Sequence, residues 1–238
     1  MAFKRVIIRR VGPLSWLLDL MPDYRIILKK VGLALLIFGF ADIAFMIYCF
    51  THGQGYSSSF NIFAVIAGIF LLRGHLGTAK LVTTFTAFML GAFIGSILFV
   101  YPFLMPIGLV LVHIKTSPII AIALFLFVPF VLGFLAWVYR ALRSAWVLEA
   151  LSTAGKPVNP PKLAFGFGLA IAIFLALILN VTVNGAAGDK AIELARQELG
   201  PSYNYSTQSV QFGGGHGRAV VAAYNDSEIK YVPVEWQE

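Results

Sequence analysis

Apolar residues in this chain come in five long blocks, Val31–Phe50, Tyr56–Leu72, Leu81–Val100, Pro118–Tyr139 and Leu163–Val183, separated by short polar turns. Each block holds 17 to 22 residues. At roughly 1.5 Å of helical rise per residue, that length matches a hydrocarbon core of about 30 Å. The pattern predicts an all-α polytopic membrane bundle of five transmembrane helices over residues 31–185. Residues 1–30 read as a cytoplasmic juxtamembrane segment. Within it, Pro13–Met21 alternates Trp and Leu with few charges, as a short amphipathic helix at the headgroups does.

The last 53 residues, 186–238, change character. Asp189–Leu199 carries Ile192, Leu194, Ala195 and Leu199 at helical spacing and stops at Gly200-Pro201. Tyr203–Phe212, Arg218–Tyr224 and Glu228–Trp236 read as strands, the last two joined by the turn signal Asn225-Asp226-Ser227. Gly213–Gly217 reads as a flexible loop. The expectation is a small α+β extramembrane domain, one helix on a three-stranded antiparallel meander. Pro233 has no N–H to give a ladder, which makes the last strand an edge. A domain of this size has a marginal core and is expected to lean on the bundle or on a partner.

Between the third and fourth blocks, Tyr101–Ser117 fits neither class. Pro102 and Pro106 interrupt a helix, yet Phe103, Leu104, Ile107, Leu109, Leu111 and Val112 are too apolar for open water. It reads as an interfacial or a re-entrant segment packed on the bundle. Block four is expected to run on as a helix past the membrane until Gly155 and Pro157 stop it.

Charge then orients the bundle. The formal net charge is +7, divided as −3 over residues 186–238 and +10 over the remainder. Of the fourteen Lys and Arg in that remainder, thirteen precede block one or lie in the turns after blocks two and four, and only Lys115 lies on the other side. By the positive-inside rule the N-terminus is cytoplasmic and, with five spans, the C-terminal domain is outside. For a bacterial inner membrane that compartment is the periplasm. The basic excess is accounted for by loop placement, so no nucleic-acid partner is implied.

Candidate chemistry is sparse. Asp42 is the one acidic or basic residue inside a block, and a charge at that depth marks either an ion path or a hydrogen bond between helices. Thr83, Ala87, Gly91 and Gly95 repeat every four residues in block three, as do Ala164, Gly168, Ala172, Ala176, Asn180 and Asn184 in block five. Such small-residue stripes let helices approach closely, with each other or with a second protein. His52, His75, His113 and His216 share no metal-ligand spacing, and the single Cys49 allows no internal disulfide. No catalytic, cofactor or metal motif is legible. The expected role is a non-catalytic inner-membrane protein whose outer domain binds a protein partner, with Tyr231 and Trp236 as candidate aromatic anchors on the edge strand. It would act as an accessory subunit, an envelope sensor or an immunity-type factor, and homo-oligomers are compatible. The competing expectation is a small transporter or channel component using Asp42, and an intramembrane enzyme built on Asp42 and Tyr101–Ser117 is a third.

Overall fold

The computed structural model describes residues 23–53, 55–56 and 61–237. The amphipathic segment expected over Pro13–Met21 lies outside the described residues. By contact density the chain divides into two compact units, residues 1–82 with 140–159, and residues 83–139 with 160–238.

In the first unit, α1 runs over Tyr24–Thr51. It starts seven residues before the apolar block because Asp23 caps it, its Oδ1 accepting from the Arg25 N–H at 3.0 Å. Its buried stripe is Leu28, Val31, Gly32, Leu35 and Gly39, the spacing of one helical face. Against that stripe lies α2, Asn61–Leu72, running antiparallel. A Cβ on Gly32 would stand 2.8 Å from the Gly68 carbonyl oxygen, and one on Gly74 would stand 3.9 Å from Cγ of Arg25. Twelve residues make a helix only about 18 Å long. The described part of the second block is thus a helix too short to cross on its own. Among the described residues, four helical segments are long and apolar enough to cross a membrane: 24–51, 76–104, 118–142 and 162–183.

The third of these, α6 (Pro118–Leu142), also corrects an expectation. It does not run on unbroken to Gly155. The chain breaks at Arg143-Ser144, where the Arg143 guanidinium donates to the Val158 carbonyl at 3.1 Å, and a separate helix α7 covers Ala145–Thr153. Tying the side chain to the following linker turns the polypeptide back before α8, Lys162–Val183.

The second unit contains most of α3, Leu76–Gly95. Its span continues through a π-helical turn, Ser96–Val100, and a short α4, Tyr101–Leu104. Pro102 gives the reason for the π turn. Its ring would crowd an α-helical carbonyl one turn back, and a widened turn makes room for it. The helix ends at Met105-Pro106, and α5 follows over Ile107–Thr116.

After α8 a tight turn leads into α9, Ala186–Leu199, then β1 (Asn204–Gly213), β2 (His216–Tyr224) and β3 (Ile229–Gln237). Both pairings are antiparallel in the order β1-β2-β3, with a bulge between Thr207 and Ser209. The Gly213–Gly217 stretch is a tight hairpin rather than a flexible loop. Gly213 pairs with His216, and Gly214 and Gly215 both have positive φ, +62° and +79°, as a type I′ turn requires. The second hairpin is held by Asn225, whose Oδ1 accepts from the backbone N–H of Ser227 and Glu228 at 2.9 and 3.0 Å.

Strand side chains alternate between two faces. Ala219, Val221, Ala223, Val232, Val234 and Trp236 pack with Ala191 and Ala195 of α9, forming the domain core. The opposite face carries Arg218, Val220, Ala222, Tyr224, Tyr231, Pro233 and Glu235, consistent with Val220 pairing with Pro233 and Ala222 with Tyr231.

Candidate functional site

No single cleft gathers the candidate residues. They fall in three places, each set by a different element.

Asp42 lies in the middle of α1, half-buried, in a helix otherwise apolar from Val31 to Phe50. Among the described residues it makes an interaction.

The small-residue stripes meet each other within the second unit. Thr83, Ala87, Gly91 and Gly95 of α3 are all buried, as are Gly168, Ala172 and Ala176 of α8. A Cβ on Gly91 would come within 2.1 Å of the Phe165 carbonyl oxygen, and one on Gly168 within 2.1 Å of the Phe88 carbonyl oxygen. One on Gly95 would come within 2.6 Å of the Ala172 Cβ. The two helices run parallel and touch backbone to backbone, which only glycine permits. Residues 164, 180 and 184, also on the block-five stripe, are not fully buried. The Gly32–Gly68 contact in the first unit is of the same kind. No repeat within one block announced it, because each helix contributes a single glycine.

The C-terminal domain divides the two aromatic candidates. Trp236 is 8% exposed and belongs to the core, its ring lying over Gly217, where a Cβ would stand 2.2 Å from Cε2. It is a core residue and not an exposed anchor. Alternation puts Trp236 on the same face as Val232 and Val234, and it is α9 packing on that face that buries it. Tyr231 is on the other face and 55% exposed. Its hydroxyl meets His113 Nε2 of α5 at 3.3 Å, while His113 Nδ1 lies 3.1 Å from the Leu109 carbonyl. A carbonyl only accepts, so in the neutral ring the proton sits on Nδ1, and Nε2 accepts from Tyr231.

A second polar group went unnoticed in the sequence. The Tyr203 hydroxyl donates to Glu228 Oε1 and accepts from Lys230 Nζ at 2.8 Å, and Lys230 also pairs with Glu228 at 3.0 Å. The Tyr203 hydrogen bond, with Lys230 second, holds the Glu228 carboxyl below its ordinary value of 4.5. The same hydroxyl, with Glu228 second, holds Lys230 above its ordinary 10.5. Glu228 therefore stabilises the fold above pH 4.5, and that contribution is lost as pH falls through the lowered folded value. Lys230 contributes fully below 10.5 and loses its part as pH rises through the raised folded value. Hydrogen-exchange protection of β2 and β3 should thus be flat between these limits and fall beyond both. Tyr203→Phe should blunt both falls. A profile identical in the variant would show that the trio contributes nothing.

His52, His75, His113 and His216 lie apart, and among the described residues no three His, Cys, Asp or Glu side chains form a metal-binding group. No protein-family model, curated protein or solved structure matches the chain.

Proposed function

We propose that this protein is a non-catalytic integral component of a bacterial inner membrane, whose C-terminal domain faces the periplasm and binds a protein partner along β3. The observation behind this reading is the sheet order. β3 follows β2 at the end of the sheet, so one side of it is a free edge available for a partner strand. Pro233 and Glu235 limit indiscriminate pairing there, as edge strands of monomeric domains need. Tyr231, at the base of the edge, offers an exposed aromatic contact.

Orientation follows from five crossings. We take α2 as the second of them. What supports this is the antiparallel course of α2, which returns Gly74 to the side of Arg25, together with the thirteen-to-one distribution of Lys and Arg. Cysteines placed at residues 75 and 155 should react only with reagent admitted to the cytoplasm, and one at residue 235 should react from outside. Labelling of residue 235 from the cytoplasmic side would remove one crossing and overturn the orientation.

Function is tested by deleting residues 186–238. Each remaining helix closes its own backbone hydrogen bonds, so the bundle should still insert, without the partner that copurifies with the full chain. A photoreactive residue at position 235 should give a discrete adduct that one at 193, on α9, does not. If the truncated protein keeps its partners and its cellular activity, the role resides in the membrane helices.

A further inference from the structure

The segment between the third and fourth blocks has two apolar sides, and only one of them is used by the protein. On one side of α5, Leu109 and Val112 are buried. Gly108 abuts the Tyr224 ring, where a Cβ would stand 3.1 Å from Cε2, and His113 meets Tyr231. Tyr224 and Tyr231 both lie on the sheet face away from the core. The outer sheet is thus clasped by α9 on one face and by α5 on the other.

The opposite side of α5 is Ile107, Leu111 and Ile114, spaced four and three residues apart, and 82%, 55% and 48% exposed. A helix facing water puts polar groups there. This one puts two isoleucines and a leucine, flanked by exposed Lys115. The stripe does not stand alone. It continues an apolar exposed surface from Leu98, Phe99 and Tyr101 at the end of one candidate span to Ile119, Ile120 and Ile122 at the start of the next. Only Met105-Pro106 separates α4 from α5, and only Ser117 separates α5 from α6, so α5 sits where two spanning helices leave the hydrocarbon.

We infer that α5 is an interfacial saddle: Ile107, Leu111 and Ile114 lie in the lipid at the outer boundary of the membrane while the other side of the helix carries the β-sheet. Lys115 then reaches the phosphate layer, and the Tyr231 and Tyr224 end of the sheet rests near the headgroups, where tyrosine is favoured. The outer domain is held at a set orientation and does not swing on the α8–α9 turn alone. This inference does not depend on partner binding along β3.

The test uses the full chain, carrying Cys49→Ser, in vesicles of phosphatidylcholine and phosphatidylglycerol. Spin labels are placed one at a time by Ile107→Cys, Leu111→Cys and Ile114→Cys, with Phe125→Cys in α6 as a lipid reference and His216→Cys at the hairpin tip as a water reference. Collision with dissolved oxygen should exceed collision with a water-soluble nickel chelate at all three α5 positions. The ratio should match that at 125 and stand several-fold above that at 216. Nickel access equal to that at 216 overturns the inference, because the stripe then faces water. Immobilised labels reached by neither reagent also overturn it, since another protein or a second copy then covers the stripe. The three positions are read separately, so one label that disturbs the seat on Tyr224 leaves two that report.

Discussion

Gly91→Leu is expected to prevent α3 and α8 from assembling, with a sharp fall in the amount of folded protein recovered from the membrane. The obstacle at Gly91 is backbone: its Cβ would lie 2.1 Å from the Phe165 oxygen and 3.0 Å from the Phe165 carbonyl carbon. No rotamer relieves a collision that begins at Cβ, so the helices must separate. Separation also breaks the reciprocal contact at Gly168 and the seat of Gly95 on Ala172. Overpacking a well-filled contact costs about 1–3 kcal/mol, and here even Gly91→Ala should reach that range. Gly95→Ala should be milder, because its Cβ would stand 2.6 Å from the Ala172 Cβ, against 2.1 Å from a carbonyl oxygen at Gly91, and its next neighbour is the movable end of Leu169. Gly133→Ala and Gly166→Ala meet nothing within 4 Å and serve as neutral controls. Thermal melting in detergent reads the series. A Gly91→Leu protein that melts like the parent would mean the two helices do not touch there.

Trp236→Ala is expected to unfold the C-terminal domain while the long apolar helices stay inserted. The indole fills the core beside Val232 and Val234, lies on Gly217 and stacks edge-on with Phe212 at 6.2 Å between ring centroids. Removing a buried aromatic costs about 3–5 kcal/mol. A domain near fifty residues has roughly 3–8 kcal/mol in total, at ordinary stability per residue. One substitution is thus comparable to the whole. Rapid proteolysis after residue 186 and loss of amide protection in β2 and β3 are the expected readouts. Tyr231→Ala, at an exposed site, should leave both unchanged. Full protection in the Trp236→Ala protein would show that the indole is not part of the core.

This second expectation differs from what the chain's pattern first suggested for Trp236, and the difference is instructive. The alternation in Glu228–Trp236 shows which residues share a face. It does not show which face α9 covers, because both carry apolar residues: Val232 and Val234 on one side, Tyr231 and Pro233 on the other. The same ambiguity hid the role of Tyr101–Ser117. Its composition and its prolines excluded both water and a continuous helix. That one side of it seats Tyr224 and Tyr231 depends on residues more than a hundred positions away.

Features carried by neighbouring residues were legible from the sequence alone. These include the long apolar helices, the α9 helix ending at Gly200, the Asn225 hairpin and the edge position of the strand that carries Pro233. Each follows from helical or strand periodicity, from a cap, or from a missing N–H, and needs no distant partner. Only the tertiary structure decided the rest. It decided that the face of α1 carrying Gly32 is covered by α2 and that Arg143 turns the chain back to Val158. It also decided that Gly32 meets Gly68 and that the stripes of α3 and α8 face each other. The physical reason is that burial belongs to pairs of surfaces. A helix or strand sets by itself which side chains lie together, but the energy that selects one face over another is released only when a second element arrives to cover it.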